Sequence, residues 1–179
     1  MNRTVKNSDN AGEESRLSKT DKNLHVAFAG ESRAHMKYLA FAEQADKEGY
    51  PLIAKLFRTA AEGEKIHALA HLKNEIKSTR ENLLTAMRGE TFEFRLKYPE
   101  MIRQAAEEGR DSEMESFQFA NDVKDYHTEL FEKALEHLHM EKLDEGDYFI
   151  CSVCGCPTKD SFPDTCPVCK HERSFKKVK

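Results

Sequence analysis

The stretch PLIAKLFRTAAEGEKIHALAHLKNEI, residues 51–76, places Ile53, Phe57, Ala60, Glu64, His67 and His71 at the three- and four-residue spacing of one helical face. Pro51 suits a first helical turn, where its missing N–H costs nothing. Glu64 and His67 stand three apart within that apolar stripe, a Glu-x-x-His pair. An ionised carboxylate turned into a helical interior is costly unless a cation neutralises it. The segment therefore reads as one wall of a helical bundle that holds a metal.

Working outward, Gly49-Tyr50-Pro51 separates this helix from an earlier one over about residues 20–47, whose stripe is Leu24, Phe28, Glu31, Tyr38 and Ala42. Ser78-Thr79-Arg80-Glu81 predicts the N-cap of a third helix carrying Leu83, Ala86, Glu90, Glu93 and Lys97, which Pro99 should kink or break. Gly109-Arg110-Asp111-Ser112 ends it and starts a fourth, running to about Lys142 with Phe117, Ala120, Lys124, His127, Phe131 and Leu138 on one face. Four helices predict a mainly α four-helix bundle. Glu31 lies 18 residues before Gly49, and Glu64 and His67 lie 15 and 18 after it, so an antiparallel hairpin brings them to one height. Glu93 lies 16 residues before Gly109 and His127 lies 18 after, which makes a second matching layer. Glu136 and His139 repeat the spacing about 13 to 18 Å further along and read as a solvated helix end.

The tail has a different chemistry. Cys151-Ser152-Val153-Cys154-Gly155 and Cys166-Pro167-Val168-Cys169 are two Cys-x-x-Cys knuckles separated by eleven residues. Four soft thiolates at this spacing form a tetrahedral metal site suited to zinc or a single iron. Gly155 permits the tight turn after the first knuckle, and Tyr148, Phe149, Phe162 and Phe175 supply a small apolar shell. Cys156 is a fifth thiol outside the tetrad. About 30 residues cannot bury enough apolar surface to fold unaided, so this module, residues 146–179, needs its metal.

All five cysteines fall in this tail, which fits metal ligation in a reducing compartment rather than a disulfide framework. Residues 1–18 are polar and predict a disordered extension before the bundle, residues 19–145. No apolar run has the length of a signal core or membrane span, which predicts a cytoplasmic protein. With 28 basic and 32 acidic residues interspersed, the formal charge of −4 offers neither a nucleic-acid face nor a membrane anchor.

Taken together, Ala27-Phe28-Ala29-Gly30-Glu31-Ser32, Glu64-Lys65-Ile66-His67, Gly89-Glu90-Thr91-Phe92-Glu93, Tyr98-Pro99-Glu100, Ala106-Glu107-Glu108-Gly109 and the two cysteine knuckles resemble the rubrerythrin family, from about Asn23 to Phe175. The resemblance implies a ferritin-like di-iron four-helix bundle followed by a rubredoxin-like iron domain. It implies Glu31, Glu64, Glu90 and Glu93 as carboxylate ligands and catalytic groups, with His67 and His127 as imidazole ligands. Cys151, Cys154, Cys166 and Cys169 would hold the single iron. Tyr38 and Tyr98 stand where the family has tyrosines bonded to those carboxylates, aromatic packing being the other reading. The implied activity is reduction of hydrogen peroxide, with electrons from an external NAD(P)H-dependent reductase relayed through the rubredoxin-like iron, in defence against oxidative stress.

One position departs from the family. Its fourth helix carries a bridging Glu three residues before the ligand histidine, and this chain has Lys124 there. An ammonium repels cations and attracts carboxylates. Three arrangements stay open: a di-iron site with one bridge fewer, a single metal, or a site held by Lys–Glu pairs. The last two imply a non-enzymatic electron carrier or metal-binding protein. The short link near Ser78 means that either the second helix ends early or the two hairpins belong to different partners, and the latter predicts a homodimer, domain-swapped so that each bundle takes two helices from each chain.

Overall fold

The computed structural model describes residues 18–138 and 146–178. The expected extension thus lies outside the described residues apart from Ser18, as do His139 and the end of the fourth helix near Lys142.

The helical part consists of two antiparallel hairpins. The first pairs α1 (Lys19–Lys47) with α2 (Pro51–Leu72). Ser18 opens α1 with a capping box: its hydroxyl accepts from the Asp21 N–H, and the Asp21 side chain accepts from the Ser18 N–H. Buried Ala54, Ala61 and Ala68 recur every seven residues along α2, and Ala42 and Ala45 of α1 pack with Ala54. Alanines let the helices approach closely, so His35 Nδ1 donates to the Ala61 carbonyl at 2.8 Å. The Tyr38 ring packs with Phe41 and Phe57 at centroid distances of 6.3 and 6.2 Å, the packing arrangement of the two readings for this tyrosine. Helix α2 ends at Leu72, one turn before the expected 76, where residues 73–75 form a turn.

The second hairpin begins with another capping box, Ser78 with Glu81, and runs as α3 (Thr79–Phe92), a five-residue π-helical segment (Glu93–Lys97) and α4 (Tyr98–Glu107). Pro99 therefore neither breaks nor simply kinks the rod. It lacks an N–H and its ring would strike the Arg95 carbonyl of a regular helix. The backbone instead widens just before it, with the Tyr98 N–H donating to Glu93 O five residues back. Helix α5 (Asp111–His137) returns along α3 and α4.

Both hairpins turn the same way. The Tyr50 N–H donates to Ala45 O and the Gly49 N–H to Asp46 O; Arg110 to Ala105 and Gly109 to Ala106 repeat the pattern. These paired bonds are Schellman caps, which require the left-handed conformation that Gly49 (φ +82°) and Gly109 (φ +67°) adopt.

The tail is a three-stranded antiparallel sheet, β1 (Tyr148–Cys151) central between β2 (Pro157–Lys159) and β3 (Phe175–Lys177). Phe162 stacks on Phe175 and meets Phe149 at a tilt. The tail's cysteine cluster packs on α5, where Val123 is buried among Cys151, Cys156, Cys166 and Cys169 with Phe119 beside it. No described helix is long and apolar enough to cross a membrane.

Candidate metal centres

In the first hairpin, Glu31 on α1 and the Glu64–His67 pair on α2 bring three donor atoms within 4.8 Å of one another. Glu31 and Glu64 are half-buried, while the His67 side chain is 61% exposed and its Nδ1 donates to Glu64 Oε2 at 3.2 Å. That bond fixes the orientation of the ring beside the two carboxylates. Two carboxylates and an imidazole are hard and borderline donors that suit iron.

The second hairpin repeats the layout with one exchange. Its return helix carries Lys124 and His127 at the spacing that Glu64 and His67 have on α2. Lys124 Nζ lies 2.9 Å from Glu93 Oε2 and 3.2 Å from Glu90 Oε2, with a side chain only 20% exposed. His127 Nδ1 donates to Glu90 Oε2 at 3.2 Å, and Lys97 binds Glu93 from the next turn at 2.6 Å. Burial alone would raise the Glu93 carboxyl and lower the Lys124 ammonium; the Lys97 and Lys124 bonds outweigh it for Glu93, and the Glu93 and Glu90 bonds for Lys124. Glu93 is accordingly held below its ordinary value and Lys124 above its own. The donors expected here are together, but a protein cation already neutralises their carboxylates. This hairpin fits a metal less well than the first. The Tyr98 ring packs on Phe117 at 6.4 Å, again the packing arrangement. Glu136 and His137 are exposed, with the His137 ring bonded to the Lys133 carbonyl, in keeping with a solvated helix end.

The four-cysteine cluster is ready for a metal. Cys151, Cys154, Cys166 and Cys169 place all four sulfurs within 4.8 Å, with pairs at 3.7 Å (Cys151 to Cys169) and 3.6 Å (Cys154 to Cys166). A tetrahedron with metal–sulfur bonds of about 2.3 Å has edges of about 3.8 Å, whereas a disulfide needs about 2.0 Å. The sulfurs differ in surroundings. Burial raises Cys151, but the Ser174 hydroxyl and the Cys154 and Val153 N–H groups outweigh it and hold this thiol at about 6. Cys154 and Cys169 are raised, chiefly by burial. Cys156, wholly buried, is pushed up to about 12 by burial and the neighbouring Cys166, so it stays a thiol beside the tetrad.

Two features here had no motif to mark them. Ser174 is an ordinary serine until β3 folds against β1, and Val123 reads as one more helical apolar residue until the cysteine module covers it.

Residues 22–74, which hold the Glu31, Glu64 and His67 cluster, match the family model for rubrerythrin. Along most of its length the chain is similar to Rubrerythrin-2 of Clostridium acetobutylicum, 32% identical over 82% of this chain and 89% of the relative. It is also similar to nigerythrin of Nitratidesulfovibrio vulgaris, 33% identical over 93% of this chain and 91% of the relative. Its backbone resembles a solved structure of fully reduced, all-ferrous nigerythrin, with a TM-score of 0.55 at 30% identity over 99% of this chain and 98% of the other. Identity of this level sustained from the first helix through the cysteine module shows that the chain belongs to the rubrerythrin family, whose iron its two kinds of donor cluster are built to hold.

Proposed function

We propose that this oxidoreductase is a cytoplasmic peroxidase of oxidative-stress defence, taking electrons from an external NAD(P)H-dependent reductase and reducing hydrogen peroxide to water. The observation that carries the reading is the presence in one chain of a tetrathiolate cluster and carboxylate–imidazole clusters. Residues 146–179 form the rubredoxin-like entry point and residues 19–145 the ferritin-like reaction centre. Iron at both places supplies reversible one-electron storage. Each peroxide takes up two electrons and two protons and leaves as two waters. Glu31, Glu64, Glu90, Glu93, His67 and His127 are the proposed ligands and catalytic groups. Their carboxylates compensate metal charge as it changes, and the Nδ1 bonds of both histidines to neighbouring carboxylates orient the rings.

The working unit is proposed to be a domain-swapped homodimer. Taken by itself, α2 leaves Leu52, Leu56, Ile66 and Leu69 exposed, an apolar surface that a second copy would cover. In a family-type bundle α2 and α3 run parallel with their donors level. The end of α2 and the start of α3 would then stand about 28 Å apart, while the seven steps from Leu72 to Thr79 reach roughly 24 Å. Mixing Glu31→Ala with His127→Ala chains tests this: a swapped dimer regains one intact bundle centre and its iron, and a mixture with no more iron than either variant rejects it.

A second reading is favoured by the ion pairs of Lys124 with Glu90 and Glu93. If they persist when metal is offered, the bundle holds one metal or none and the protein is an electron carrier or metal-binding protein. The deciding experiment is iron content together with multiple-turnover NAD(P)H oxidation by peroxide in the presence of a reductase. About three irons per chain with sustained turnover supports the peroxidase; about one iron with a single reoxidation and no turnover supports the carrier.

A further inference from the structure

The four sulfurs of the cysteine cluster do not share equally in hydrogen bonding. Val153 and Cys154 N–H groups donate to Cys151, the Cys156 N–H to Cys154 and the His171 N–H to Cys169. Cys151 has a further partner of another kind. Ser174 Oγ lies 3.1 Å from Cys151 Sγ, and both residues are buried, at 8% and 2% exposure. Among the described residues it is the one side-chain hydroxyl hydrogen-bonded to a sulfur of the tetrad. The alternative acceptor for its proton, the His171 carbonyl, is 3.4 Å away, longer than an ordinary O–H···O bond. With Cys151 as a thiol, the S–H donates to Ser174 Oγ. A metal-bound thiolate has no proton to give, so the hydroxyl turns and donates to sulfur.

We infer that Ser174 tunes the electron-entry centre, its hydroxyl stabilising the Cys151 thiolate and raising the reduction potential of the iron held by the four cysteines. This rests on the reading that the tetrad holds one redox-active iron. Reduction adds one electron and no proton, making the centre one unit more negative, and much of that charge resides on the sulfurs. A buried donor therefore stabilises the ferrous form more than the ferric one, without water to replace it when removed. The rest of Ser174 serves the fold through its backbone: its carbonyl accepts from the Ser152 N–H at 2.8 Å and from Ser152 Oγ at 2.9 Å. Replacing the side chain leaves both bonds in place.

The test is spectroelectrochemical titration of the tetrathiolate iron in full-length wild type, Ser174→Ala and Ser174→Thr, each with iron content measured on the same sample. Ser174→Ala should keep its iron but reduce about tenfold less favourably, a fall of about 59 mV for one electron. Its ferric charge-transfer bands should move to longer wavelength, and Ser174→Thr should stay near wild type in both. Equal midpoints and spectra for wild type and Ser174→Ala at equal iron content would overturn the inference. If Ser174→Ala does not take up iron, Ser174→Thr decides: a wild-type midpoint supports the hydroxyl, and a midpoint lowered like a missing donor refutes it. A wild-type tetrad that takes no iron overturns the underlying iron reading and the inference with it, an outcome told apart by the metal analysis.

Discussion

Lys124 Nζ lies 2.9 Å from Glu93 Oε2, so the return helix of the second hairpin supplies a fixed cation where that of the first supplies the Glu64 carboxylate. An ammonium and a metal ion compete for the same oxygens. Lys124→Glu removes the competitor and adds a donor, and is expected to raise the iron bound per chain by about one. Unchanged iron in a folded Lys124→Glu protein would show that Lys124 does not limit metal uptake. Lys124→Gln in the metal-free protein leaves Glu90 and Glu93 without their shared cation and should lower stability by roughly 1–3 kcal/mol, read from urea unfolding.

That ion pair also sets a pH dependence. The Glu93 carboxyl is held below its ordinary 4.5, so its contribution is fully present above that pH and is lost as pH falls through the depressed folded value. Lys124 is held above its ordinary 10.5, so its contribution is present below that pH and is lost only as pH rises through the raised value. The stability difference between metal-free wild type and Lys124→Gln should stay flat from about pH 6 to 9 and shrink below about pH 4. A difference that persisted undiminished in strong acid would assign the destabilisation to lost packing.

The cysteine tetrad makes a sharper prediction. Cys156 is wholly buried and its thiol is pushed up to about 12, so Cys156→Ala should retain the tetrathiolate iron and its visible spectrum, losing only about 1 kcal/mol of packing. Cys166→Ala removes a ligand and should abolish that spectrum and unfold the β module while helical circular dichroism is retained. The reverse order of effects would place Cys156 in the tetrad.

The two hairpin turns offer a test independent of metal. Gly49 and Gly109 adopt φ of +82° and +67°, a conformation that costs any other L-residue about 1–2 kcal/mol. Gly49→Ala and Gly109→Ala should each lower the denaturation midpoint by that order, whereas Gly63→Ala, in the interior of α2, should be neutral or stabilising. Equal effects at Gly49 and Gly63 would contradict the Schellman assignment.

Much of this architecture was legible in the residues themselves. Ser78 and Glu81 mark the start of α3 because a capping box is local chemistry, satisfied within four residues. The cysteine knuckles are legible for the same reason, since each pair defines its own turn. The π-helical segment was not, because Pro99 excludes a regular helix before it without dictating whether the chain breaks, kinks or widens its hydrogen bonding. That choice follows from keeping α3 and α4 both packed on α5.

The sequence by itself determined the four helical rods, their glycine turns, the candidate donors Glu31, Glu64, His67, Glu90, Glu93 and His127 proposed above, the spacing of the cysteine knuckles and the anomaly of Lys124. Spacing and residue type suffice there because each signal repeats at helical or knuckle period. Tertiary structure alone decided that Lys124 reaches both Glu90 and Glu93, that Ser174 meets the Cys151 sulfur, and that Val123 lies under the cysteine module. Those contacts join residues 23 to 46 positions apart, and a pairing at such separation depends on how packed helices and strands bring their faces together, which local pattern does not encode.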